Sequence, residues 1–152
     1  MRVVVQRVSE SNVKVSGNVI GKINHGLMVL VSFVDDDTNI DLEWMSKKII
    51  NLRIFNDEEG KMNKSLLDVN GDILLISQFT LHASIKKGNR PSFIKAAKPD
   101  FANDMYQKFI KTLEEKFGSS IQTGKFGADM KVGLVNDGPT TIIIDSKKNS
   151  NL

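Results

Sequence analysis

Ser77, Thr80 and His82 lie close together in the run DILLISQFTLHA, residues 72–83. A hydroxyl beside an imidazole is the raw material of nucleophilic hydrolysis, which also needs a carboxylate to orient the histidine. Along a strand, odd and even positions face opposite ways. His82 would then share a face with Thr80 and Gln78 while Ser77 points away, so geometry disfavours a Ser–His pair. The plainer reading of His82 is an exposed histidine at a rim. His25, the other histidine, sits in an Asn24-His25-Gly26 turn. There is no cysteine, hence no thiol nucleophile, disulfide or zinc–thiolate site. No HExxH helix, His-x-His ligand set or acidic metal loop is present, and the glycines form neither GxGxxG nor GxxxxGK. These patterns point away from metal, dinucleotide and P-loop chemistry. What remains is hydroxyls, backbone amides and a basic loop.

Two stretches can assemble such groups. Ile73 to Ile76 is an unbroken apolar run, the composition of a strand buried on both faces. Ser77, Gln78 and Thr80, flanking Phe79, follow it, polar groups where core is expected. Burying each without a partner costs about 1–3 kcal/mol. Neighbouring backbone or a ligand must satisfy them, so the strand end reads as the floor of a pocket. The second stretch is Asn136-Asp137-Gly138-Pro139. Asp-Gly is a favoured hairpin dipeptide. Yet Pro139 cannot donate to a ladder, which confines it to an edge, a bulge or a strand start. A Gly-Pro bond can also be cis at modest cost, aiming two successive carbonyls the same way. Hairpin turn and rigid carbonyl template both stand.

The elements that position these groups follow from periodicity. Val3, Val5 and Val8 are strand-like, and residues 12–23 read as a hairpin turning at Ser16-Gly17-Asn18. Leu27 to Val34 is the most apolar strand. Asp37 or Thr38 is an N-cap candidate, and Leu42, Met45, Ile49 and Leu52 form one helical face. A second helix starts at Pro99-Asp100 and carries the stripe Phe101, Met105, Phe109, Leu113 and Phe117, ending at Gly118. Strands return on both sides of residues 136–139. The order predicts an α+β fold, two helices packed on a largely antiparallel, barrel-like β-sheet core. Residues 1–145 read as one domain, and 146–152 as a polar, frayed tail. Pairing with a second copy is one way to protect the sheet edges.

The chain has 152 residues and a formal net charge of +3. Its charge is uneven: residues 84–98 hold Lys86, Lys87, Arg90, Lys95 and Lys98 and no acid. Such a loop attracts polyanions or is simply solvated. No apolar run approaches a membrane span, and the opening MRVVVQRV is unlike a signal peptide. A cytoplasmic location is expected.

SQFTL at 77–81 and NDGPTT at 136–141, taken together, resemble the two signature motifs of the D-aminoacyl-tRNA deacylases. VQRV at 5–8, RIFNDEEGKMN at 53–63, GNRPSF at 88–93 and TGKFGADM at 123–130 agree, so the resemblance runs from Met1 to about Asp145. It implies a cytoplasmic, metal- and cofactor-free homodimer that hydrolyses the ester of D-aminoacyl-tRNA and of mischarged glycyl-tRNA. It further implies a cis Gly138-Pro139 that enters the other subunit's pocket, grips the D-amino group and rejects L side chains. Arg7 would hold that motif. Ser77, Gln78, Phe79 and Thr80 would receive the terminal adenosine and ester, with Phe126 and Met130 lining the pocket. An adjacent ribose hydroxyl can replace a protein base, leaving positioning and main-chain oxyanion donors to the protein. The competing readings are a non-catalytic RNA-binding module, a serine esterase and a structural dimer; membrane and DNA are not expected partners.

Overall fold

The computed structural model describes residues 1–149. Its organising element is β1 (Arg2–Val15), a strand paired along both edges. One edge pairs antiparallel first with β3 (Gly26–Ser32) and then with β2 (Asn18–Ile23); the other pairs antiparallel with β8 (Met130–Asp145) along its whole length. Ser16 and Gly17, both at positive φ, make the β1–β2 turn where the sequence places it.

The sheet is mixed. β3 pairs in parallel with β6 (Asp72–Ser77), which pairs in parallel with the short β7 (Gln122–Thr123). The physical reason is the connection: α1 (Asn39–Asn51) and a two-stranded excursion, β4 (Phe55–Asn56) with β5 (Met62–Lys64), lie between β3 and β6, and only a crossover of such length can join parallel neighbours. The Lys22 amide reaches the Gln122 side chain at 3.4 Å, joining β2 to β7 and nearly closing the sheet.

Thr38 caps α1, and the Asp41 carboxylate returns to the Thr38 amide at 2.9 Å. Leu42, Met45 and Ile49 are buried as their spacing requires. In α2 (Pro99–Phe117), Met105, Phe109 and Leu113 are buried, and Gly118 ends the helix at φ 82°. Both helices cover the main core around Val3, Val5, Leu27, Val29, Ile73 and Leu75. A smaller cluster around Val8, Val13, Met28, Leu74 and Ile76 fills the barrel side.

Two expectations change. Residues 136–139 do not turn a hairpin. β8 runs straight past them, and its register against β1 jumps from Gln6↔Thr141 to Val8↔Asn136, which leaves residues 137–140 bulged opposite Arg7. The tail does not fray at its start. Ser146–Asn149 forms a third, short helix, α3, and Ser146 is fully buried. Its hydroxyl donates to Asp41 at 2.7 Å and accepts from the Met1 ammonium at 2.9 Å, while that ammonium also pairs with Asp37. The rest of the expected tail, residues 150–152, lies outside the described residues.

Candidate active site

At Ser77 strand β6 stops, because the chain leaves the sheet in a short 3₁₀ turn, Phe79–His82. The Gln78 amide still donates to the Val31 carbonyl at 2.7 Å, so the strand end stays anchored to β3. The turn is held from below. Ser32 Oγ donates to the Phe79 carbonyl at 3.3 Å, and Arg2 Nη1 to the Leu81 carbonyl at 2.7 Å. Arg2 is fixed in its turn by Asp145, through contacts of 2.9 and 3.1 Å. Burial pushes the Asp145 carboxyl up, but the Arg2 guanidinium outweighs it and holds the group below the usual range. Arg2 carries no local sequence signal for this role; its partners lie far along the chain.

This strand end opens into a cleft of about 750 Å³. Ser77, Gln78 and Phe79 form one wall, Phe126 and Met130 another, and Ala97 to Pro99 with Ala102 a third. The lining is mainly apolar with a few polar groups, the composition of a small-ligand pocket. Tyr106 supports the Phe126 wall from inside the core: its hydroxyl donates to the Leu75 carbonyl at 2.8 Å, and its ring lies 6.0 Å from that of Phe126. Burial drives the Tyr106 hydroxyl pKa well above its ordinary value, so it remains a donor. The alanine wall was missed from sequence, because small residues before a helix carry no chemical signature.

The structure brings Ser77, Gln78, Phe79, Phe126 and Met130 together. Thr80 is exposed and outside the lining, its hydroxyl accepting from Gln78 Nε2 at 2.6 Å. His82 is half-buried rather than exposed at a rim, because the chain turns before reaching it. It does not line the cleft, and its Nε2 is buried with no hydrogen-bond partner. Burial, then the nearby Arg2 charge, pushes its pKa down. Among the described residues no serine hydroxyl is hydrogen-bonded to a histidine: His82 meets the Ser32 backbone, and the Ser32 hydroxyl is taken by the Phe79 carbonyl.

Gly138 and Pro139 are exposed on the β8 bulge and do not line this chain's own cleft; their peptide bond is cis. Gly138 has φ 118°, and a Cβ there would lie 2.6 Å from Arg7 Nη2 and 2.8 Å from Thr140 Oγ1. Arg7 is buried and ties the bulge to the core. Its Nη1 donates to the Ile54 carbonyl at 2.6 Å and to Asn56 Oδ1 at 3.2 Å, and its Nε to the Asp137 carbonyl at 3.2 Å. Nε also lies 3.2 Å from the Asp137 carboxylate.

Among the described residues no cluster of His, Cys, Asp or Glu could hold a metal, and no helix is long and apolar enough to cross a membrane. The fold and cleft therefore define an α+β protein with a small-ligand pocket at the end of a parallel strand pair. Residues 4–145 match the sequence model of the D-Tyr-tRNA(Tyr) deacylases, and the chain belongs to that family. The chain is 61% identical over 147 residues to the D-aminoacyl-tRNA deacylase of Flavobacterium johnsoniae, covering 97% of this chain and 98% of that one. Identity to the D-aminoacyl-tRNA deacylase of Dechloromonas aromatica is 51%, with the same coverage of 97% and 98%. The solved structure of a c-Myc DNA unwinding element binding protein is similar at TM-score 0.91 and 43% identity, over 96% of this chain and 99% of that one. At 19% identity, the structure of a probable eukaryotic D-amino acid tRNA deacylase shares the fold at TM-score 0.82, over 94% and 97%.

Proposed function

We propose that this protein is a D-aminoacyl-tRNA deacylase that works as a homodimer. Water attacks the carbonyl carbon of the aminoacyl ester, the bond to the ribose oxygen breaks, and that oxygen takes a proton. Free D-amino acid and tRNA leave. The observation that carries this reading is a cleft at the strand end of Ser77, Gln78 and Phe79 together with a protruding Gly138-Pro139 bulge held by Arg7, in a chain that matches the deacylase family over residues 4–145. An aminoacyl ester brings its own assistant, the neighbouring ribose hydroxyl, so the protein needs to position the ester and stabilise the oxyanion. Ser77, Gln78 and Phe79 hold the adenosine and ester. Thr80 stands at their edge, its hydroxyl accepting from Gln78 Nε2, and the Phe79 and Thr80 amides are the oxyanion donors. Phe126 and Met130 close the other side.

The Gly138-Pro139 bulge is exposed and rigidly held by Arg7, which suits it to enter the cleft of a second subunit. Its carbonyls accept from the D-amino group, and an L side chain collides with the same main chain. Glycine, with no side chain, passes, which extends the activity to glycyl-tRNA mischarged on tRNA(Ala). A DNA-binding reading, raised by the name of the 43% identical structure, would leave the cleft without a use.

Ester loss from D-Tyr-tRNA, L-Tyr-tRNA and Gly-tRNA, against the spontaneous rate, tests this. Acceleration of the D and glycyl esters alone is expected. Equal acceleration of D and L removes the chiral filter, and none with D removes the function. A terminal 2′-deoxyadenosine charged at the 3′ position tests the assistance: an unimpaired rate rejects it.

A further inference from the structure

The segment between the 3₁₀ turn and α2, residues 84–98, is ordered where it borders the cleft and open where it does not. Ser84 and Ser92 exchange backbone hydrogen bonds of 2.8 and 2.9 Å, which closes the segment into a projecting arm. Its returning limb is pinned by the Ala97 amide on the Phe33 carbonyl at 2.9 Å. The Phe93 ring meets that of Phe79 edge-on, 5.1 Å between centroids. Phe93, Ile94 and Lys98 therefore stand on the cleft wall, while Lys86, Lys87 and Arg90 occupy the tip.

Two features of the arm bear on what it could bind. All five of its cations are exposed and, among the described residues, no carboxylate pairs with their charged groups, while the Lys98 backbone amide meets the Asp35 carboxylate at 3.4 Å. It also presents bare apolar surface, with Ile94 93% and Ile85 73% exposed, beside the half-exposed Phe79. Unpaired cations interleaved with apolar and aromatic faces form the pattern that tracks a single strand: phosphates on the charges, base faces on the rest.

We propose that residues 84–98 dock the single-stranded nucleotides that lead to the terminal adenosine of the substrate RNA. This rests on the deacylase reading and adds to it the surface that grips the strand. Lys98, Ile94 and Phe93 receive the nucleotide next to the cleft; Lys86, Lys87 and Arg90 take phosphates further along. The arm raises the local concentration of the ester at the cleft and takes no part in the chemistry.

The test compares the wild type with the triple variant Lys86→Ala, Lys87→Ala, Arg90→Ala on two substrates, D-Tyr-tRNA and the D-tyrosyl ester of adenosine, which has no upstream phosphate. The variant should raise KM for the tRNA and leave kcat unchanged, and both proteins should hydrolyse the adenosine ester alike. Each lost single-strand phosphate contact lowers the salt slope by about 0.7, so the variant's slope should fall by about 2. A rise from 50 to 200 mM salt then weakens the wild type about 20-fold more than the variant. Equal KM and equal salt slopes overturn the arm while leaving the deacylase reading intact. Hydrolysis of neither ester by the wild type overturns the deacylase reading; the arm is then judged by fluorescence anisotropy with a 12-nucleotide single-stranded RNA. Equal affinity for a blunt RNA duplex overturns the single-strand assignment.

Discussion

Arg7→Lys keeps the charge beneath the Gly138-Pro139 bulge and removes the planar fork. The arginine spans two separate partners, the Ile54 carbonyl at 2.6 Å on one side and the Asp137 carbonyl at 3.2 Å on the other. A lysine ammonium is a point charge and can meet one of them. The carbonyl left behind is enclosed, and such an unpaired group costs about 1–3 kcal/mol. For a chain of this size each kcal/mol lowers Tm by about 2–4 °C, so a fall of about 6 °C is the central expectation. If the released partner is Asp137, the bulge loses its fixed position, and the D-over-L rate ratio falls by the same free energy, about 5- to 150-fold. The assay is thermal unfolding followed by initial rates on D-Tyr-tRNA and L-Tyr-tRNA. An unchanged Tm together with an unchanged D/L ratio would refute the reasoning, because one of the two carbonyls must lose its partner.

Gly138→Ala places a methyl 2.6 Å from Arg7 Nη2 at φ 118°, a backbone region that costs an L residue about 1–3 kcal/mol. It should reduce kcat/KM on D-Tyr-tRNA about 100-fold or more while circular dichroism stays native; undiminished, selective activity would remove the bulge from the site. For acid stability, burial raises the Asp41 carboxyl, but hydrogen bonds from Ser146, Thr38 and Lys147 outweigh it and lower the pKa from 3.8 to about 2. The folded pKa lies below the unfolded one, so this stabilisation is full above about pH 4 and is lost as pH falls towards 2. The difference corresponds to about 2.5 kcal/mol. Urea midpoints between pH 5 and pH 2 should therefore fall less steeply for Asp41→Asn than for the wild type, and equal slopes would reject the linkage.

The helices were legible because their signals are local. The i,i+4 stripe from Phe101 to Phe117 and the caps at Thr38 and Gly118 act within a few residues. Ser77 to Phe79 stood out because polar groups interrupt an apolar run. What escaped depends on distant partners. Asp137-Gly138 has the local preference of a hairpin, but β1 supplies a partner on both sides of it and draws the chain straight through with a bulge. Ser146 reads as polar tail until Met1 and Asp41 arrive from the other end of the sequence. The parallel β3–β6 pair is implied only by the length of the connection between them. Phe126 and Met130 came from the family resemblance, since neither has a pattern of its own.

The pairing of β1 with β8 has a temporal side. Arg2 lies opposite Asp145, and Val15 opposite Met130, so β1 is joined to the last strand among the described residues. During synthesis the β8-facing edge of β1 therefore stays open until residues 130–145 have been made, and contacts this remote form slowly. Met130 is both the start of that strand and part of the cleft wall. The pocket and the bulge are thus completed by the same late event. A nascent chain has its strand end at Ser77 long before it has a site, and any premature end before β8 leaves an unprotected strand edge and no enclosed cleft.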